Sequence, residues 1–148
     1  MEVVDANTFR LAWLECRSLP KLADSRSRFV TKDWLDPRLT NLLREHNVAL
    51  ALTDTSFMPR PWEMKEKFDL VTADFAYVRW LGDRKGIEKQ TTTWDKTVVD
   101  RTNDLRNWVE VFKSLVSNTK VLKIFAFSNN HYAGHGPATA KLLRRLCS

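Results

Sequence analysis

The chain is 148 residues long, with 43% hydrophobic and 28% charged residues and a net charge of +6. That length suits one domain able to bury roughly 68–70% of its unfolded surface, so a real core is expected. The positive charge is scattered, without a Lys/Arg block, and reads as a solvated surface that permits rather than demonstrates binding of nucleic acid. No apolar run approaches the ~18 residues of a membrane span, and the N-terminus lacks a signal-peptide core. Cys16 and Cys147 sit at opposite ends in no metal-ligand spacing, which fits a reducing cytoplasm better than a disulfide framework.

In chain order, Phe9, Ala12, Trp13 and Cys16 fall at helical spacing, giving a helix from about Thr8 to Leu19 that Pro20 ends. A polar loop follows, then a short strand at Arg28 to Thr31. Asp36 before Pro37 is a helix start, the carboxylate as N-cap and the proline at the first helical position. Leu39, Leu42, Leu43 and His46 then share a face, and Asn47 suits a left-handed helix end. Val48 to Leu52 reads as a buried parallel strand delivering Thr53, Asp54 and Thr55 at its C-terminal end.

Met58 to Trp62 is a proline-stiffened loop before a short helix. Phe75 to Leu81 is a further strand, with Tyr77, Arg79 and Leu81 on one face and Ala76, Val78 and Trp80 on the other. Arg79 is the residue most costly to bury there without an anionic partner or water. A long polar loop spans Gly82 to Thr97. Leu105, Trp108, Val109, Phe112, Leu115 and Val116 repeat at three and four, the clearest amphipathic helix in the chain. Val121 to Phe127 is a strand apolar enough to need cover on both faces. It ends in Ser128 to Tyr132, an Ala133-Gly134-His135-Gly136-Pro137 hinge and a helix over Ala138 to Leu146.

Alternating strands and helices predict an α/β fold with parallel, right-handed connections. The C-terminal edge of such a sheet gathers strand ends and helix N-termini, so Asp54, Arg79, Asn129, Asn130 and His131 are the candidate site residues. The helix that Pro137 opens points free N–H groups towards Asn129 to His131, which favours an anion or a polar carbonyl ligand. Asp54 with His131 is the candidate acid/base pair on a hydroxyl or phosphate ligand held by Arg79; the competing reading pairs Asp54 with Arg79 structurally. A divalent metal on Asp54, His131 and His135 is disfavoured, because the four-residue spacing runs through Gly134. Trp80 and Trp94 flank the edge, and packing is favoured over stacking on a ligand. No G-x-S-x-G, G-x-x-x-x-G-K or H-E-x-x-H signature is present.

Val48 to Asp54, Phe75 to Gly82, Trp94-Asp95, Asp100-Arg101, Leu105 to Trp108 and, above all, Phe127 to Ala138 resemble the YecE-like family, domain of unknown function seventy-two. The resemblance runs from about Lys32 to Leu146 and implies a TIM-type barrel, with Asp54, Tyr77, Arg79, Asn129, Asn130 and His131 at its rim. It adds the conjecture of a hydrolase acting on phosphate esters or nucleic acid, with a non-catalytic ligand-binding or interaction module, or a truncated inactive fragment, as the alternative. The family's N-terminal Gly-Ser-Trp-Tyr-like opening is absent, and Arg28 to Thr31 replaces its Glu-x-Arg strand. A closed barrel needs about 250 residues. The expectation is therefore a divergent segment over 1–27 and, over 28–148, about four strands of a partial barrel, left open or completed by a second copy or another chain. The ligand implied is small and polar or phosphate-bearing, and no cofactor is specified.

Overall fold

The computed structural model describes residues 35–148. The expected helix near Thr8 and strand at Arg28 to Thr31 lie outside them. Helix α1 (Pro37–Glu45) begins as its sequence dictates: Asp36 accepts a hydrogen bond from the Leu39 amide at 2.9 Å, and Pro37 opens the first turn. Asn47 takes the left-handed conformation, φ 52°. Its side chain exchanges hydrogen bonds with Asp74, donating to the carboxylate at 3.2 Å and accepting from the Asp74 amide at 3.0 Å. The inward residue of α1 is Thr40, whereas Leu42 is largely exposed. Thr40 can turn inward because its hydroxyl is satisfied by the Pro37 carbonyl.

Three strands follow: β1 (Ala51–Thr55), β2 (Phe75–Gly82) and β3 (Lys123–Ser128), parallel and in that spatial order. Strand β1 starts three residues later than the apolar run Val48 to Leu52. Before it, the Val48 carbonyl and Leu50 amide are both taken by the Thr72 hydroxyl, at 2.8 and 2.7 Å, so the ladder cannot yet form. Helix α2 (Pro61–Met64) follows β1, and α3 (Arg84–Glu88) occupies part of the stretch expected to be loop. Helix α4 (Thr102–Ser117) is the expected amphipathic helix, though Val116 points to solvent. The short α5 (Asn130–Ala133) and α6 (Gly136–Leu146) complete the described residues.

The sheet has two unlike faces. Leu52 and Asp54, Ala76, Val78 and Trp80 are all buried, packed with Leu105, Trp108, Leu115 and Leu143 of α4 and α6 in one core. Trp80 meets Trp108 edge-on at 5.6 Å between ring centres. On the other face Ala51, Arg79 and Lys123 are exposed, and Thr53, Phe75, Tyr77, Phe125 and Phe127 are half-buried. Phe75 packs on Phe125 and Tyr77 on Phe127, at 5.9 and 5.7 Å. So the expectation of cover on both faces is met on one side only among the described residues. Among the described residues the fold is α/β with an open three-stranded parallel sheet, and none of their helices is long and apolar enough to cross a membrane.

Candidate functional site

Asp54 and Arg79 leave their strands in opposite directions. The register sets Asp54 opposite Trp80 and Thr53 opposite Arg79. Because side chains alternate, Asp54 follows Leu52 into the helix-covered core, and Arg79 stays on the open face with Thr53 and Phe127. The shared pocket expected for the two is not formed.

Asp54 is 2% exposed, yet three donors surround it. Its Oδ2 accepts from Trp108 Nε1 and from the Tyr132 hydroxyl, each at 3.0 Å, and its Oδ1 is ion-paired with Arg60. Such charge-assisted bonds are what a buried carboxylate requires. The donors are themselves held: the Arg60 guanidinium lies over Trp62, 5.8 Å from the ring centre, and Trp62 meets Trp108 edge-on at 6.1 Å. Arg101 sits over the Tyr132 ring and donates from Nε to the Tyr132 carbonyl at 3.1 Å. Burial, reinforced by the charge of Asp104, pushes the Tyr132 hydroxyl well above the usual tyrosine range, so it remains a donor. Neither of the expected partners of Asp54, Arg79 or His131, belongs to this cluster. Its residues tie β1, α2, α4 and α5 together.

The rim above the strands is built separately. Gly82 ends β2 at φ 72°, and a Cβ there would stand 2.3 Å from the His131 carbonyl oxygen, so glycine lets β2 pass beneath α5. The Asn129 amide donates to the Trp80 carbonyl, continuing the ladder one residue past β3. Alternation then places Asn129 on the face of Phe127 and Arg79. Its side-chain oxygen accepts from the His131 amide at 3.1 Å and bonds His131 Nδ1 at 2.9 Å. The other ring nitrogen, Nε2, lies 3.2 Å from Glu88 Oε1, and the Trp94 ring packs against the imidazole at 4.7 Å. Arg84 donates to the same Glu88 oxygen at 2.7 Å. That bond, more than the contact with His131, holds the Glu88 carboxyl below the usual range.

Asn130 caps α6, accepting from the Gly136 amide at 2.8 Å. The helix N-terminus therefore does point back at the Asn129 to His131 turn, but its Gly136 N–H is used within the fold. Arg79 takes part in no ion pair among the described residues. Trp80 is core, 1% exposed, rather than a rim platform. No group of three His, Cys, Asp or Glu side chains comes together among the described residues. A cleft of about 360 Å³, lined by Lys65, Phe68, Leu70, Val111 and Leu115, opens near the N-terminal ends of β2 and β3, away from this rim.

Sequence reasoning missed Glu88, Arg60 and the hydrogen-bonding role of Tyr132. Only Arg60 carried a signal, a cation in a proline-stiffened turn six residues after Asp54.

A family model described as "Protein of unknown function DUF72" matches residues 16–148. Among solved structures, a DUF72 family protein from Thermotoga maritima matches at 22% identity and a TM-score of 0.49, covering 75% of this chain and 40% of that one. The chain thus spans less than half the length of that protein. No curated protein matches.

Proposed function

The chain belongs to the DUF72 family of proteins of unknown function, and on that premise we propose that its strands form part of a TIM-type barrel whose C-terminal rim binds a small phosphate-bearing anion. Arg79 supplies the charge, and Asn129 supplies an amide donor beside it. Tyr77 lies two residues before Arg79 on the same face, and Asn130 and His131 frame the turn above. The observation that carries this reading is Arg79: an exposed guanidinium in the C-terminal half of β2, among half-buried aromatic side chains, with no carboxylate paired to it among the described residues. A cation without a protein counter-ion on such a face is suited to an oxyanion, and guanidinium geometry suits phosphate best.

Binding is the reading favoured over hydrolysis. The acid/base pair needed for phosphate-ester cleavage included Asp54, and that carboxylate is committed to Arg60, Trp108 and Tyr132 on the far side of the sheet. A cytoplasmic setting and a nucleic-acid ligand belong to the same proposal, the anion being a backbone phosphate in the latter case. The test is Arg79→Met. Loss of phosphate binding with an unchanged or raised melting temperature supports the reading. Equal phosphate affinity in the variant and the parent overturns it.

A further inference from the structure

Asn129 has one oxygen and two amide hydrogens to place, and His131 decides how they are placed. Two bonds meet on Asn129 Oδ1: the backbone N–H of His131, which can only donate, and His131 Nδ1. The oxygen is therefore fixed towards His131, and Nδ1 must carry a proton to satisfy it. The NH2 group is turned the other way, and no acceptor meets it among the described residues. His131 is itself braced on its remaining sides. Nε2 faces Glu88 of α3, whose carboxylate is shared with Arg84, and the ring edge packs against Trp94 from the segment after α3. When doubly protonated, the imidazole donates to Asn129 and Glu88 together; when neutral, with Nδ1 still protonated, it turns a lone pair on the carboxylate.

We propose that His131, braced by Glu88 and Trp94, is a positioning residue that holds the Asn129 amide with its Nδ2 donor directed at the bound anion. This rests on the anion-binding reading of the rim. It makes α3 and the segment after it, 43 residues from His131 in sequence at Glu88, part of the binding apparatus. The groups facing that ring are Glu88 and Arg84 from α3, the uncharged Trp94, and Asn129 from its own turn.

The experiment compares the parent chain with Glu88→Gln and His131→Phe, using inorganic sulfate as the probe. Nuclear magnetic resonance follows the His131 ring nitrogens and the Asn129 side-chain amide in parallel with sulfate titrations. The expected result is that Glu88→Gln shifts both sets of resonances and weakens sulfate about three- to tenfold, the loss of one hydrogen bond in the relay. In His131→Phe, which lacks the Nδ1 donor to Asn129, the Asn129 amide resonances are displaced and sulfate binds more weakly than to the parent chain. Unchanged Asn129 and His131 resonances in Glu88→Gln, with sulfate still bound, overturn the positioning role while leaving the anion site standing. Resonances that move in a parent chain that binds no sulfate uphold the relay and overturn the anion-binding reading instead.

Discussion

Replacing Asp54 by alanine tests whether the buried carboxylate is a structural anchor. The substitution leaves Trp108 Nε1, the Tyr132 hydroxyl and the Arg60 guanidinium facing a small void, the first two in a fully buried setting. Each buried donor left without a partner costs about 1–3 kcal/mol, and removing one member of a buried ion pair about 3–5 kcal/mol. Arg60 is partly exposed and can regain water, so most of the ion-pair cost is discounted and the two buried donors dominate, about 3–5 kcal/mol in all. At about 3–4 °C per kcal/mol for a chain of this size, the melting temperature falls by roughly 10–20 °C. Urea denaturation followed by far-ultraviolet circular dichroism gives the free energy and shows whether the m-value is preserved. Asp54→Asn should lose less, because the amide oxygen still accepts one of the two donors. A double-mutant cycle with Trp108→Phe should return a coupling of about 1 kcal/mol or more. A loss under about 1 kcal/mol in Asp54→Ala, together with abolished phosphate binding, would refute the reasoning and return Asp54 to the binding site.

Gly82→Ala forces a side chain into the left-handed region and against the His131 carbonyl, so a loss above about 2 kcal/mol is expected in thermal unfolding. Asn47→Ala should cost about 1–2 kcal/mol, from the left-handed backbone and the two bonds to Asp74, and Asn47→Gly less, as read by the same denaturation assay. The folded-state value of the Tyr132 hydroxyl is raised, so its contribution is complete below the ordinary tyrosine value of about 10 and declines as pH climbs above it. Stability should therefore fall with rising alkaline pH in the parent chain and fall less steeply in Tyr132→Phe. Glu88 is shifted the opposite way. Its pairing with Arg84 and His131 should persist as pH drops below the usual glutamate range and be lost only at more acid pH, later than in Arg84→Ala, as carboxyl carbon chemical shifts would record.

The parts of the fold legible in the sequence are those set by neighbours. Asp36 and Pro37 start a helix through contacts within four residues, and Asn47 ends it in the left-handed backbone its residue type favours, so the residue types suffice. The faces of β2 follow from alternation, and α4 from its three-and-four repeat. The site was less legible because it depends on register. Sequence gathered Asp54, Arg79 and Asn129 at one end of the sheet, and the parallel strands do bring all three there. Which face each residue takes follows from pairing Asp54 with Trp80 rather than with Arg79, and a slip of one residue reverses every side chain. The partners of Asp54 lie 6, 54 and 78 residues away, at Arg60, Trp108 and Tyr132, and no local pattern links them. The short helix α3 escaped notice for a related reason. Five residues with two lysine or arginine side chains and a glycine carry little helical signal, and its value lies in bringing Glu88 to His131.

The anion site itself is tested most directly by titrating the isotopically labelled chain with inorganic phosphate and following Arg79 Nε–H and the Asn129 side-chain amide together. The account predicts that both resonances move along one saturating curve with a common dissociation constant, and that the Asn129 amide no longer moves in Arg79→Met. Independent curves for the two groups, or shifts confined to residues away from the C-terminal ends of β2 and β3, would contradict it.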